Sequence, residues 1–234
     1  MTTRVRQRAD GLNAKNPSGS LAERKGSSRV RRTAPVMKIV GTDSADVELG
    51  LLGGKIPCPD CSGALGPWGN ARPRIVRFHG DIEWRTPRRA RCRTCHKTHV
   101  LLPNDLLVRR RDGVAVIGDA LTRASSGAGF RSLAAKLGRP PETVRGWLRA
   151  FRSSAEKIRA HFTRWAVALD SESFDVPPTG SAFGDAVGAI AAAGSAAVRK
   201  GIADDPWQFA SAITIGGLLC KQILCNTTCP WASP

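Results

Sequence analysis

The sequence predicts a mainly α-helical protein with a small β zinc ribbon near its start. Two Cys-x-x-Cys pairs flank short segments of strand character, and from Val114 onward apolar residues recur at helical spacing. We expect a disordered basic tail over residues 1–36 and a zinc ribbon with a short leading helix over 37–110. A three-helix helix-turn-helix domain over 111–165 and an Ala/Gly-rich, weakly helical C-terminal region over 166–234 would follow.

The charge distribution favours a polyanionic partner. The 234 residues carry a net charge of +17, and residues 54–165 contain 23 Lys and Arg against eight Asp and Glu. We expect no membrane association, because no segment is long and apolar enough to span a bilayer and no basic amphipathic helix is evident. Residues 1–36 contain no apolar signal-peptide core, so we expect a cytoplasmic, nucleoid-associated protein with reduced thiols.

The first 36 residues are rich in Arg, Ser, Thr and Gly and contain few large apolar side chains. Such a segment buries too little surface to offset its ordering entropy, and disorder is the expectation. Two interpretations stay open. Residues 1–36 are either a basic tail that adds non-specific DNA affinity, or sequence upstream of a translation start at Met37.

The region around the cysteines is expected to hold one short helix and several short strands. Residues 46–53 have helical character, with Val47, Leu51 and Leu52 able to share one face. Strand character is found at residues 74–78, 82–85, 88–93 and 99–102. Cysteine turns that flank short strands are typical of a zinc ribbon.

Four cysteines have the spacing of a structural metal site. Cys58, Cys61, Cys92 and Cys95 form two Cys-x-x-Cys pairs separated by 30 residues. Two residues between cysteines let both thiolates reach one ion, and four thiolates complete a tetrahedral zinc site with no open position. We therefore expect one structural zinc ion, which contributes folding free energy rather than catalysis.

Other histidines and cysteines lie near this motif. Cys92 to His96 also satisfies the Cys-x-x-Cys-His pattern of c-type haem attachment, but haem attachment requires export and leaves Cys58 and Cys61 unexplained. His96 and His99 are interpreted as surface or second-shell residues. The irregularly spaced cysteines near the C-terminus are interpreted as free thiols: Cys220, Cys225 and Cys229.

A three-helix pattern follows the ribbon. The first helix has an apolar stripe formed by Val116, Ile117, Ala120 and Leu121. The second, over 130–137, ends at Gly138, and the third, over 140–151, begins with two prolines. Leu133, Ala134 and Leu137 form the inner face of the second helix, and Val144, Trp147, Leu148 and Phe151 form that of the third. This spacing is typical of a helix-turn-helix, whose second helix enters the major groove.

The outward face of the third helix is expected to read DNA. Thr143 and Arg145 are candidates for base edges, because Arg pairs bidentately with guanine and Thr offers a methyl and a hydroxyl group. Glu142 also points outward. The cations expected to contact DNA, mainly through phosphates, are Arg131, Lys136, Arg139, Arg149 and Arg152. The alternative is a plain helical bundle with a solvated basic face.

A second basic segment lies in the ribbon. Arginines at positions 85, 88, 89, 91 and 93 could track phosphates. Trp84 beside them either stacks on a base or fills the small core of the ribbon, and the core is the simpler interpretation.

These motifs resemble a family of uncharacterised actinobacterial proteins labelled transposase-like or helix-turn-helix, many encoded near insertion-sequence genes. The resembling segments are Cys58-Pro-Asp-Cys61, Pro67-Trp68-Gly69, and residues 88–95, 98–103 and 137–147. The layout is also similar to the N-terminal region of some insertion-sequence transposases. Over residues 47–164 the resemblance implies zinc bound by the four cysteines and DNA contact through residues 141–149. His96 stands where a small residue is common in the family.

We therefore expect sequence-specific binding of double-stranded DNA without catalysis, by a regulator or accessory factor of a mobile element. The alternative is the DNA-binding part of an insertion-sequence transposase that lacks its catalytic domain. A homodimer, a separately encoded transposase, and an RNA-binding or protein-docking ribbon stay open. The 69 residues after 165 are too few for a metal-dependent nuclease domain. Their acids are Asp170, Glu172, Asp175, Asp185, Asp204 and Asp205.

Overall fold

The computed structural model describes residues 37–171 and 177–220. The strands are β1 (Met37–Val40), β2 (Leu65–Asn70), β3 (Arg74–Arg77), β4 (Ile82–Arg85), β5 (Arg88–Cys92) and β6 (Thr98–Pro103). The helices are α1 (Ser44–Leu52), α2 (Val114–Ser125), α3 (Phe130–Leu137), α4 (Pro141–Arg152), α5 (Ala155–Leu169), α6 (Ala182–Arg199) and α7 (Pro206–Ile213). Seven helices and a small mixed sheet confirm the expected fold class at this level. The prediction for residues 1–36 lies outside the described residues.

The main sheet has the strand order β1-β6-β5-β2, with β1 parallel to β6 and the other pairs antiparallel. Strands β3 and β4 form a separate hairpin. The strand-like segments of the sequence correspond to β3 through β6, whereas β1 and β2 were not predicted. Gly66, Pro67 and Gly69 lie within β2, and glycine and proline conceal strand character in a single sequence.

Asp43 caps the N-terminus of α1, because its carboxylate accepts a hydrogen bond from the Ala45 backbone N–H at 2.7 Å. Val47 and Leu51 are buried, but Leu52 is 60% exposed, so the predicted three-residue face was wrong at Leu52. Val47 and Leu51 are one helical turn apart, while Leu52 lies about 100° further around the axis. This helix packs on β2, and only one turn-spaced pair is buried in the contact.

The helices from α2 to α7 share one hydrophobic core. The predicted inner faces of α2 and α4 are confirmed, since all eight apolar residues expected there are buried. On α3, Leu133 and Ala134 are buried and Leu137 is half-buried. Helix α4 ends at Arg152, and Ser153 and Ser154 separate it from α5.

Helix α6 lies in the middle of this core, whereas the sequence predicted a weakly helical C-terminal region there. It is 18 residues long, ten of its residues are buried, and it packs against α2, α4, α5 and α7. The expected boundary after residue 165 falls inside α5. Alanine and glycine have weak individual apolar signals, but their small size lets neighbouring helices approach closely. The position of α6 therefore depends on its neighbours more than on its own pattern.

One such close approach is between α2 and α7, where Gly118 faces the indole of Trp207. A Cβ at Gly118 would overlap the ring, so we expect Gly118→Ala to lower the free energy of unfolding by about 2 kcal/mol. Gly146 of α4 has no atom within 4 Å of its potential Cβ position. Gly146→Ala is therefore the matched control, and we expect it to raise stability by roughly 0.5–1 kcal/mol. Urea denaturation measures both, and equal destabilisation by the two variants would contradict the assignment.

Candidate functional site

The two Cys-x-x-Cys turns have the same backbone hydrogen bonds. In the first, the Ser62 N–H donates to the Cys58 carbonyl at 2.9 Å, and the Cys58 N–H donates to the Gly63 carbonyl at 2.7 Å. In the second, the His96 N–H donates to the Cys92 carbonyl at 3.1 Å. Each turn therefore presents its two sulfurs from one tightly closed loop.

Ser62 and His96 occupy equivalent positions, one residue after the second cysteine of each turn. Both have a φ of 59°, in the left-handed region that L-residues adopt at a cost. The His96 side chain is exposed.

The sulfurs of the four predicted cysteines form one cluster, in which all lie within 4.8 Å of one another, as in a metal site. Sγ of Cys58 is 3.7 Å from that of Cys95, and Sγ of Cys61 is 3.4 Å from that of Cys92. Cys58 and Cys92 are buried, Cys95 is half-buried and Cys61 is exposed. The Thr94 N–H donates to the Cys92 sulfur at 3.3 Å, which favours the thiolate.

His99 lies beside the cluster. It is 1% exposed, and its Nε2 atom is 3.4 Å from the Cys58 sulfur. Strand β6 holds it there, opposite Ala90 of β5. The interpretation of His99 as a surface residue was therefore wrong, and its ring also lies within 4.8 Å of ligand atoms of both Cys58 and Asp60. A ring nitrogen at this distance orients the sulfur and shields it from solvent.

The four thiols cannot all ionise together without a cation. The Cys95 N–H hydrogen bond lowers the pKa of Cys92 to about 6. The pKa of Cys61 is raised to about 12, since the Gly63 N–H lowers it but the neighbouring thiols Cys92 and Cys95 outweigh that bond. Burial raises the pKa of Cys58. A cation held by all four sulfurs would displace the remaining protons, so its affinity would decrease as pH falls.

Helices α3 and α4 are joined by three residues. Gly138 has a φ of 61° and ends α3, and Pro140 precedes the first turn of α4. The Arg139 N–H donates to the Ala134 carbonyl at 2.9 Å, which closes the end of α3. This connection packs the two helices directly against each other.

The structure brings most of the expected DNA-contacting residues to the surface of this helix pair. The exposed members are Arg131, Lys136, Glu142, Arg145, Arg149 and Arg152, and Thr143 is half-buried. Glu142 and Arg145 form an exposed ion pair at 3.4 Å. Lys136 and Arg149 form no ion pair within the described ranges. The surface is therefore cationic, with a single acid on α3 and α4.

Arg139 differs from the expected phosphate contact. Its side chain is 12% exposed, and its Nε donates to the buried Asp112 carboxylate at 2.6 Å. Its Nη2 donates to the Phe78 carbonyl at 3.0 Å. Arg77 pairs with the other oxygen of Asp112 at 2.8 Å. Arg139 thus links the turn before α4 to the β3–β4 hairpin, and it is not available to a phosphate.

Asp112 itself was missed by the sequence interpretation. It follows three consecutive arginines, Arg109, Arg110 and Arg111. A single acid in so basic a run was the available signal, because a buried carboxylate requires cationic partners. Its partners come from distant parts of the chain, and no local pattern identifies them.

The second basic segment is largely occupied by internal contacts. Arg88 makes a bidentate pair with Glu48, both bonds at 2.7 Å. The Arg91 guanidinium lies 4.7 Å from the centre of the Trp68 ring. The other engaged members are Arg85, which pairs with Glu83 and Asp105, and Arg93, which donates to backbone carbonyls at the end of α1. Trp84 is 72% exposed, so the interpretation that it fills the ribbon core was wrong.

Several acids after residue 165 have structural contacts. Asp170 pairs with Arg199 at 2.6 Å, and Asp185 accepts hydrogen bonds from Thr179 that lower its pKa. Asp205 begins α7 by accepting from two backbone N–H groups. Glu172, Asp175, Cys225 and Cys229 lie outside the described residues. Cys220 is half-buried and is not part of the sulfur cluster.

No helix among the described residues has the length and apolarity needed to cross a membrane.

Comparison with known proteins adds one match. Residues 58–137 match the sequence model of a family described as "Domain of unknown function (DUF6431)". The match begins at the first cysteine and includes both Cys-x-x-Cys turns, α2 and α3. No curated protein and no solved structure matches the chain. About a third of the chain is therefore similar to a family whose description assigns no activity.

Proposed function

We propose that the protein binds double-stranded DNA at specific sequences, through a helix-turn-helix formed by α3 and α4 beside a zinc ribbon. The observation that carries the proposal is the three-residue turn between α3 and α4, in which Gly138 is left-handed, combined with the exposed cations on both helices. Two short helices joined in this way present the second helix to the major groove. A net charge of +17 supplies the attraction to phosphates.

The metal we propose is zinc. Sulfurs about 2.3 Å from a tetrahedral zinc ion lie roughly 3.8 Å from one another. The distances of 3.7 Å and 3.4 Å within the cluster are close to that value. Four thiolates leave no open position, so the ion would hold the two cysteine turns together and supply no catalysis. Cys58, Cys61, Cys92 and Cys95 are its ligands in this proposal.

Contacts to DNA divide into those that specify and those that position. Thr143 and Arg145 lie in the N-terminal half of α4, where side chains reach base edges. Arg131, Lys136, Arg149 and Arg152 would contact phosphates, which set the register of the protein on the duplex. The Glu142 carboxylate holds the Arg145 guanidinium before binding and could accept from a cytosine amino group.

Gly146 gives independent support. A glycine inside a helix costs roughly 0.5–1 kcal/mol relative to alanine. Nothing lies within 4 Å of the position its Cβ would occupy, so packing among the described residues does not require it. A residue without a side chain between Arg145 and Trp147 leaves room for the helix to approach a groove closely.

The first experiment measures metal and DNA together. The full chain is purified without added metal, its zinc content is measured, and it is titrated with a pool of random duplexes at several salt concentrations. We expect one zinc per chain, an enriched sequence motif, and affinity that falls steeply with salt. Tighter binding to single-stranded RNA than to any duplex would contradict the proposal.

Arg145→Ala tests whether α4 recognises the base sequence. We expect a loss of about tenfold or more in affinity for the selected duplex, with relaxed preference at one base pair. Lys200→Ala is the matched control, since Lys200 is an exposed cation at the end of α6. Competition assays with single-base variants of the duplex measure the preference. Equal losses for both variants would show that the charge alone matters and that α4 reads no sequence.

A further inference from the structure

The β3–β4 hairpin carries an unusual exposed apolar surface. Ile82 is 71% exposed, Trp84 is 72% exposed and Ile75 is 39% exposed. Ile75 is paired directly with Trp84 across the hairpin, and Ile82 lies two residues before Trp84 on the same strand. These three residues, which we call the hairpin strip, therefore share one face. On the opposite face Val76 is fully buried against Leu102 and Leu106, whereas its cross-strand partner Glu83 is exposed.

The hairpin is held firmly against the start of α2. The Arg77 N–H donates to the Arg111 carbonyl at 2.7 Å, and the Gly113 N–H donates to the Arg77 carbonyl at 2.9 Å. The Phe78 ring packs against Gly113 so closely that no Cβ fits there. The exposure of the strip is thus a property of a fixed element.

The same hairpin is tied to the N-terminal end of α4. Arg139, in the turn before α4, donates to the Phe78 carbonyl at the hairpin bend and pairs with Asp112, which also holds Arg77. A DNA groove that receives the N-terminal half of α4 would therefore lie close to the hairpin bend, at about the length of one arginine side chain. The exposed residues at that bend are His79, Gly80 and Asp81.

The positive charge of the region around the strip favours DNA over a second copy of the chain as the partner. Residues 54–165, which include the hairpin, contain 23 Lys and Arg against eight Asp and Glu, so the region stays cationic although several arginines near the strip are paired internally. A second copy of the chain would bring two such cationic regions together, and the net charge of +17 opposes that contact. A duplex supplies the opposite charge, and its bases and sugars accept apolar side chains inserted from a groove.

We propose that the β3–β4 hairpin is a second DNA-binding element, whose strip contacts the duplex immediately beside the site read by α4. Trp84 and Ile82 make apolar contacts with bases and sugars, while the excess positive charge of residues 54–165 attracts the flanking phosphates. The inference rests on the proposed DNA binding. It adds a contact that widens the footprint on one flank and that depends on Trp84 rather than on α4.

The test uses the full chain and the selected duplex with ten base pairs added on each side. Trp84→Ala and Ile82→Ser are compared with Trp84→Phe, which keeps an aromatic ring, and with Val198→Ser, which removes an exposed apolar residue at the end of α6. Unchanged zinc content and denaturation midpoints show that each variant is folded. Affinity, hydroxyl-radical footprints and sedimentation are then measured.

We expect about tenfold weaker binding for Trp84→Ala and loss of protection on one flank only. Trp84→Phe should keep most of the affinity, and Val198→Ser should match the wild type. Unchanged affinity and footprint for Trp84→Ala, with weaker binding by Arg145→Ala, would overturn the inference and leave the proposed function standing. Dissociation of a dimer by Trp84→Ala would overturn it by assigning the strip to self-association. If the wild-type chain binds no duplex, both proposals fail.

Discussion

Asp112→Asn is expected to lower the free energy of unfolding by about 3 kcal/mol. The Asp112 side chain is 3% exposed, and its two oxygens pair with Arg77 and Arg139. Asparagine keeps the shape but removes the charge, and it leaves both guanidinium groups without a counter-ion. This loss of stability lies at the low end of the range for breaking a buried ion pair. The Arg77 side chain is 30% exposed, so water partly replaces its lost partner.

Asp119→Asn is the matched control. Asp119 also pairs with an arginine at 2.6 Å, but the partner Arg123 is one turn away on α2 and both side chains are partly exposed. We expect a change of about 0.5 kcal/mol or less. Urea denaturation of both variants gives the comparison. Similar values would show that Asp112 is not the link between the hairpin and α4.

Asp112→Asn also has a functional consequence under the proposals above. The carboxylate fixes the hairpin relative to the turn before α4, so its loss should weaken binding to the extended duplex even where the protein stays folded. We expect a smaller effect on a short duplex that covers the α4 site alone. This comparison separates positioning of the hairpin from direct contact.

Under the proposed zinc site, Cys92→Ser is expected to abolish metal binding and unfold the sheet around the cysteine cluster. Binding of zinc by four thiolates contributes on the order of 10 kcal/mol of folding free energy, which is comparable to the whole stability of a domain. Cys92 is buried, lies at the end of β5, and its sulfur accepts hydrogen bonds from Thr94 and Cys95. Metal analysis and hydrogen exchange of the β5 and β6 amides measure the effect.

Cys220→Ser is the control for this experiment. Cys220 is a half-buried thiol outside the cluster, so the variant should keep one metal per chain and normal exchange in β5 and β6. Full metal content in Cys92→Ser would refute the assignment of the ligands. In the wild type we expect metal retention to decrease as pH falls, because protons compete for the same sulfurs.

Much of the candidate site could be predicted because its signals are local. The Cys-x-x-Cys spacing places two sulfurs on one turn, and the apolar spacing of α3 and α4 fixes which side chains are buried. Gly138 and the prolines after it mark the connection between these helices in the sequence itself. These features depend on residues within a few positions of one another, and a single sequence records them directly.

Other features depended on contacts between distant residues. Arg139 was expected to face a phosphate, yet the fold places it against Asp112 and Phe78. Trp84 was expected in the core, yet the hairpin buries Val76 on its inner face and exposes the strip on the other. Local sequence could not decide either case, because a charged or aromatic residue takes its role from whichever element packs beside it.

The amino-acid pattern alone identified the four clustered cysteines, the mainly helical class and the inner faces of α2 and α4. The burial of α6 inside the helical core and the connection of the hairpin to α4 through Asp112 became evident from the fold alone. The difference lies in how far apart in the sequence the interacting residues are. Helical periodicity and cysteine spacing are properties of neighbouring residues, whereas the burial of alanine-rich helices and the pairing of lone charges depend on where the chain returns in space.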